Sequence, residues 1–320
     1  MNNFFLKPII PYIICTGIFS CTQNKTEIIK DEVMKEIKHK ENGMLFSLYY
    51  EHSNCSYEIL VNDLPVVVNF DKVNNSGLTI NINQYILKEG KQEVKIRMFP
   101  KKINQNTFSN FLDSSSFVKV FINKQKRNSD VNEDWKDIAS GVKFEWEVLN
   151  FQTPNLEKEI PYVEYKTSFE VDSKDISWDI IGWSESQNLK SDPNIREEVE
   201  AFYANFKNKL EQGDSKGYVK MLANCIYEDA ASMPWDKDAL NQITKQMTQY
   251  ADMKRKFVDT CKKSDLKFYG NGKVVTLVCT DTITFGYSPL ISIDESGRFP
   301  KAHTFYLHKP KNSDKLEIIR

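Results

Sequence analysis

The sequence predicts two structural units, a β-sandwich over residues 44–188 and an α+β unit over 189–320 in which three helices precede an antiparallel sheet. Three observations carry this. From Met44 to about Ser186 short runs alternate apolar and polar residues between turn residues, with no convincing helical period. Near Gln187–Asp192 the apolar spacing becomes helical, and after Cys261 it returns to two. A length of 320 residues suits two domains.

The chain opens on a leader. Residues 1–20 carry one charge, Lys7, and an apolar stretch runs from Pro8 to Phe19. That is the length of a signal-peptide apolar region and too short for a membrane-crossing helix, which needs roughly 20 residues. The stretch ends in Ile18-Phe19-Ser20-Cys21, and the polar residues TQNKTE follow at once. The segment resembles the lipobox of bacterial lipoproteins. The resemblance implies cleavage after residue 20 and acylation of Cys21, at both its thiol and the new amino terminus. Two or more acyl chains anchor stably where one does not. Thr22, rather than Asp, follows the cysteine, which by the same resemblance implies the outer membrane. Residues 21–43 then read as a lipidated tether, with five Lys against five Asp and Glu in residues 22–43.

Strands are expected over Tyr57–Asn62, Val66–Phe70, Leu78–Ile82 and Val94–Met98, with turns at Asn74-Asn75-Ser76-Gly77 and Glu89-Gly90-Lys91. Phe117–Ile122 alternates, as do Phe144, Trp146 and Val148. Val163, Tyr165, Thr167, Phe169 and Val171 form one face opposite Glu164, Lys166, Ser168 and Glu170. Ile176–Trp183 closes the series. The stretch from Cys55 to Pro100 resembles jelly-roll or immunoglobulin-like modules in its turn grammar.

Asp192-Pro193 is a helix-start signal, and Ile195, Val199, Phe202, Tyr203, Phe206 and Leu210 follow at helical spacing. Gly213 ends that helix and Asp214 or Ser215 begins the next, with Tyr218, Val219, Leu222, Ala223 and Ile226 on its apolar face. Pro234-Trp235 breaks the chain, Asp236 caps a third helix, and that helix carries a stripe from Leu240 to Cys261. Strands are then expected over Leu266–Tyr269, Val274–Thr280, Ile283–Tyr287, His303–His308 and Leu316–Ile319, with Gly270-Asn271-Gly272 as a hairpin turn. Three helices before antiparallel strands are similar to the NTF2-like (SnoaL-like) cone. That resemblance covers residues 193–320 and rests on element order and the Gly213-Asp214 stop.

Lys and Arg total 43 and Asp and Glu 44, for a net charge of −1. This balance argues against nucleic-acid binding, which needs a basic footprint. No phosphate loop, GxGxxG, GxSxG, HExxH or CxxC occurs, so no cofactor or metal is implied. His39, His52, His303 and His308 do not share a ligand spacing. Cys55, Cys225, Cys261 and Cys279 allow three full pairings, and free buried thiols are the leading expectation. Asp281, Tyr287 and His303 lie on the expected C-terminal sheet. By the cone resemblance they are the pocket candidates, an Asp beside a His forming a general base. Trp178 and Trp183 differ by five residues, so a regular strand would expose one of them as a binding platform.

The leading functional expectation is a non-enzymatic envelope lipoprotein, held to the membrane by its lipid, that binds a protein or a cell-wall or glycan partner. An immunity-type protein neutralising a periplasmic toxin is the first alternative. A hydrolase or isomerase with a C-terminal pocket is the second.

Overall fold

The computed structural model describes residues 43–71, 78–126, 149–233, 237–298 and 300–320. Cys21, the expected leader, the expected tether before residue 43, the expected 74–77 turn and the expected 144–148 strand lie outside them. So do Trp135, Trp146 and Trp235.

Ten strands are formed by the described residues of the N-terminal half. They are β1 (Met44–Ser53), β2 (Cys55–Val61), β3 (Leu64–Asn69), β4 (Thr79–Asn81), β5 (Gly90–Pro100), β6 (Lys102–Asn104), β7 (Thr107–Phe108), β8 (Phe117–Lys126), β9 (Leu149–Gln152) and β10 (Val163–Val171). Two four-stranded antiparallel sheets result, in the orders β4-β1-β8-β9 and β10-β5-β2-β3. Period-two alternation explains what they bury. Phe46, Leu48 and Tyr50 of β1 and Val118, Val120 and Ile122 of β8 share one core with Tyr57, Ile59, Val94, Ile96, Met98, Phe169 and Val171 of the other sheet. Asn62-Asp63 joins β2 to β3 with both residues at positive φ, the two-residue turn that matches strand twist.

The C-terminal half begins with helices α1 (Ile195–Gln212), α2 (Ser215–Ser232) and α3 (Lys237–Asp252). Strands follow: β11 (Lys256–Val258), β12 (Ser264–Tyr269), β13 (Val274–Cys279), β14 (Ile291–Ile293), β15 (Lys301–Ala302), β16 (Leu307–His308) and β17 (Glu317–Ile318). They make two sheets, β12-β13-β16-β17 and β11-β14-β15. Val199, Tyr203, Phe206 and Leu210 of α1 pack with Val219 and Ile226 of α2 and with Val275, Leu277 and Leu307. Gly213 takes a left-handed conformation (φ 70°) and closes α1, and the Asp214 carboxylate accepts the Gly217 N–H at 2.9 Å to open α2.

Several boundaries differ from expectation. Helix α1 starts at Ile195, because Asp192 spends its carboxylate on the Asn194 N–H in a turn before the helix. Helix α3 stops at Asp252. Lys254 sits at φ 48°, and Phe257 and Val258, which continue the helical stripe, pair as a strand with β14 instead. Ile176–Trp183 is not a strand: it has no ladder partner, follows a 3-10 turn over Ser173–Asp175 and is broken at Gly182 (φ 55°). Residues 283–287 form a turn rather than a strand, with Gly286 at φ 80°. Of the expected strand His303–His308, only Leu307–His308 pairs.

The halves meet along a seam in which buried ion pairs lie beside a shared apolar core. β2 is buried on both faces, because the outer face of its sheet lies under the C-terminal half. Glu58, 1% exposed, ion-pairs with Arg97 at 3.4 Å and with Lys267 of β12, and receives the Tyr269 hydroxyl. Asp63 accepts the Asn271 N–H at 2.9 Å and pairs with Lys95 at 2.6 Å. Glu228 of α2 accepts the Gly182 N–H at 2.8 Å and pairs with Arg320 at 2.7 Å. No helix among the described residues is long and apolar enough to cross a membrane.

Candidate functional site

The inner face of the β11-β14-β15 sheet carries the most chemistry in the C-terminal half. Phe257, Ser292 and Lys301 are register partners across its three strands and therefore share one face. His303 follows Lys301 two residues on, and Arg255 precedes Phe257 by two. Tyr250 of α3 lies against them. Ser292 Oγ is 2.8 Å from His303 Nε2, and the Tyr250 hydroxyl is 3.3 Å from each. Arg255 Nε donates to Ser292 Oγ at 3.2 Å, and its Nη2 donates to the Ser292 carbonyl at 3.3 Å. Lys301 Nζ stands 4.4 Å from the centre of the Tyr250 ring, and the Arg255 guanidinium 5.2 Å from it.

The electrostatics follow from that packing. Burial, with Lys301 and Arg255 adding to it, pushes His303 down to about 3. Burial, then Arg255, lowers Lys301 as well. His303 is thus a neutral ring at pH 7. A serine within reach of a neutral imidazole has the outline of a nucleophile and its base. Here, however, Ser292 is fully buried and already accepts from Arg255. The cluster is a satisfied core network.

Asp281 and Tyr287 lie elsewhere. Asp281 accepts the Thr284 N–H at 3.1 Å, the Thr284 hydroxyl at 2.7 Å and the Lys262 N–H at 3.2 Å. Burial draws its carboxyl upward, but these donors outweigh that and hold it below the usual range. Tyr287 donates its hydroxyl to Asp71 of the N-terminal half, and burial together with that carboxylate raises its ionisation. No hydrogen bond or ring contact among the described residues joins either of them to His303. The expected convergence of Asp281, Tyr287 and His303 does not occur. The turn over 281–287 carries the first two toward the seam, whereas His303 points into the helices.

The tryptophans also differ from expectation. Trp178 and Trp183 are 4% and 5% exposed. Trp178 Nε1 donates to the Ile86 carbonyl at 2.8 Å, and the Arg320 guanidinium lies 5.7 Å from the Trp183 ring. Gly182 shifts the alternation by one residue, so both rings turn inward and neither offers a platform. Cys261 and Cys279 are disulfide-bonded, while Cys55 and Cys225 are free, each thiol pushed up to about 12 chiefly by burial. The sulfurs and the Asp281 carboxylate lie within 4.8 Å of one another, but the bonded sulfurs are not thiolate ligands.

Protein-family models, curated proteins and solved structures give this chain no match. Its chemistry alone must therefore locate a functional surface. An open groove of about 980 Å³ runs between α1, α2 and the turn before β17. Phe202, Met221 and Leu316 line its apolar part, and Glu198, Lys220 and Lys315 its charged part. Phe202 is held by its edge against Phe305, and Glu198 by Lys309 at 2.7 Å. Sequence reading missed both this groove and the Tyr250, Arg255, Ser292 and Lys301 network. The Lys301–His303 spacing of two was a usable signal for the network. The groove had none, because its residues come from three separate segments.

Proposed function

We propose that this chain is a lipid-anchored envelope protein whose role is to bind another protein. The leader ending in Ser20-Cys21 supports the anchor, with Cys21 as the acylated residue and the outer membrane as its destination. On this reading the two N-terminal sheets are the layers of a jelly-roll or immunoglobulin-like sandwich. The three helices with their following sheets are an NTF2-like unit.

The observation that carries the binding role is the α1–α2 groove. It is open and sets the apolar Phe202, Met221 and Leu316 beside the exposed Lys220 and Lys315, and an aromatic and a Met among polar groups suit a protein-binding surface. Glycan recognition would draw on exposed flat rings, and the two tryptophans singled out for it are packed inside. The hydrolase or isomerase alternative would need Asp281 or His303 to face a cavity, and both are taken up by structural partners.

The test is photo-crosslinking from position 220 on intact cells, with mass spectrometry of the adducts. One protein should be captured at equal stoichiometry, and a Lys220→Glu/Lys315→Glu form should retain at least about tenfold less of it in affinity capture. Retention of glycan alone, or equal retention by the variant, would overturn the reading. A toxin as the captured protein would specify the immunity-type role. The anchor is tested by metabolic labelling with an alkyne fatty acid, which Cys21→Ala should abolish.

A further inference from the structure

Among the described residues strand β10 leaves an unusual free edge. It pairs with β5 over nine residues in unbroken register, from Val163↔Met98 to Val171↔Gly90, and it ends its sheet. Outside that ladder no backbone hydrogen bond among the described residues reaches it. Long, regular edges are templates for a further strand, and proteins blunt them by shortness, Pro, bulges or charged side chains. The other edges of these two sheets are blunted in those ways. β4 and β9 have three and four residues, and β3 carries Pro65 and a register shift. β10 has neither Pro nor bulge, and only Glu164, Lys166 and Glu170 mark its solvent face.

Its charges are complementary in two registers: centred on Tyr165, Glu164 meets Lys166 over five strand residues, and centred on Ser168 the match extends over seven. Laid antiparallel to a second copy about Ser168, Lys166 faces Glu170 of the other chain twice over. Tyr165 then faces Val171, Thr167 faces Phe169, and the two Ser168 residues face each other. Centring on Thr167 instead sets Glu164 against Glu170 twice within the strands, where like charges directly opposite are unfavourable, whereas the Ser168 register sets Glu164 only against Asp172, past the end of β10. Within one chain Lys166 holds Glu164 at 3.3 Å, an exposed pair worth little by itself.

We propose that the β10 edge is a homodimer interface, at which two copies pair β10 antiparallel about Ser168 and join their four-stranded sheets into one. The contact is isologous, so it closes at two copies. Main-chain hydrogen bonds supply its affinity and the Lys166–Glu170 pairs its register.

The experiment uses the full-length chain in detergent micelles. Under mild oxidation Ser168→Cys should form a covalent dimer. Lys174→Cys, on an exposed turn past the strand, should not. In sedimentation, Lys166→Glu should weaken self-association at least about tenfold, and Lys166→Glu/Glu170→Lys should restore it. Lys166 and Glu170 are exposed and Ser168 is half-buried on the same outer face, so the changes leave the core untouched, and circular dichroism checks the fold of each variant. A monomer at every concentration would refute the proposal. So would association indifferent to the charge changes, cross-linking no stronger at 168 than at 174, or capture of a different protein at 168.

Discussion

Three histidines are buried as neutral rings, and each makes the fold acid-sensitive. Burial lowers His303 to about 3 and His308 to about 4, with Lys301 and Arg255 assisting at the first and Arg320 at the second. His52 is lowered by burial alone. An unfolded histidine titrates near 6.5, so below that pH the unfolded chain binds protons that the folded chain refuses. The contribution of these rings to stability is therefore complete above 6.5 and is lost as pH falls toward 4 and 3. Denaturant titrations at pH 7, 5.5 and 4.5 should give a steadily falling unfolding free energy. His303→Gln should flatten that slope while lowering stability at pH 7. His52 differs from the other two, because among the described residues neither of its ring nitrogens has a hydrogen-bond partner, and its ring lies 4.5 Å from that of Tyr57 among aromatic neighbours. A phenyl ring in that place keeps the packing and removes two unsatisfied polar atoms. His52→Phe should accordingly raise the melting temperature, with a gain of about 1 kcal/mol. A loss of stability would show that the imidazole has a use that its contacts do not reveal.

The turn between β13 and β14 is the element most dependent on single features. Cys279 closes it with a disulfide to Cys261, Asp281 caps it through Thr284, and Gly286 passes over the Phe70 ring. The bridge spans 18 residues, so Cys261→Ser/Cys279→Ser should cost about 3 kcal/mol in denaturant unfolding. Gly286→Ala should cost at least about 1 kcal/mol, since its positive φ disfavours a side chain and the new methyl would run into Phe70. This turn also shows where sequence reading fails. Ile283 to Tyr287 has the composition of a strand, and only Gly286 signals otherwise. Helices α1 and α2 were legible because the apolar period holds over eighteen residues in each and Gly213-Asp214 marks the stop and the next cap, although the cap read at Asp192 lies before α1. Strands β2, β5, β8 and β10 were legible because one face of each meets the core. The end of α3 was not, since Phe257 and Val258 fit a helical stripe as well as a strand, and the decision fell to Lys254. At the candidate site His303 was found but its neighbours were not. Ser292, Arg255 and Tyr250 reach it through tertiary packing, which no local spacing encodes.

At the scale of the whole molecule, the seam decides whether the halves behave as two domains or one. Chains of this length with two architectures commonly unfold in separate steps. Here Tyr269, Val274 and Ile319 of the C-terminal half belong to the same apolar core as Tyr57, Ile59 and Trp183. Superimposed on that core, Glu58 is sealed between Arg97 on its own sheet and Lys267 across the seam. A buried charge of this kind contributes little beyond what an apolar replacement would, but removing one member strands the others in a low-dielectric setting. Glu58→Ala should therefore cost about 3 kcal/mol, whereas Arg196→Ala, which breaks exposed pairs with Glu200 and Asp265, should cost less than about 1 kcal/mol. Far-UV circular dichroism is dominated by α1–α3, and in a form with Trp135, Trp146 and Trp235 replaced by Phe the tryptophan fluorescence reports on Trp178 and Trp183, so the two probes read different parts of the molecule. If the core and the ion pairs weld the halves, both probes should trace one transition in guanidinium, and Glu58→Ala should move that transition without splitting it. Separate midpoints with Glu58 intact would mean that the seam closes only after each half has folded on its own.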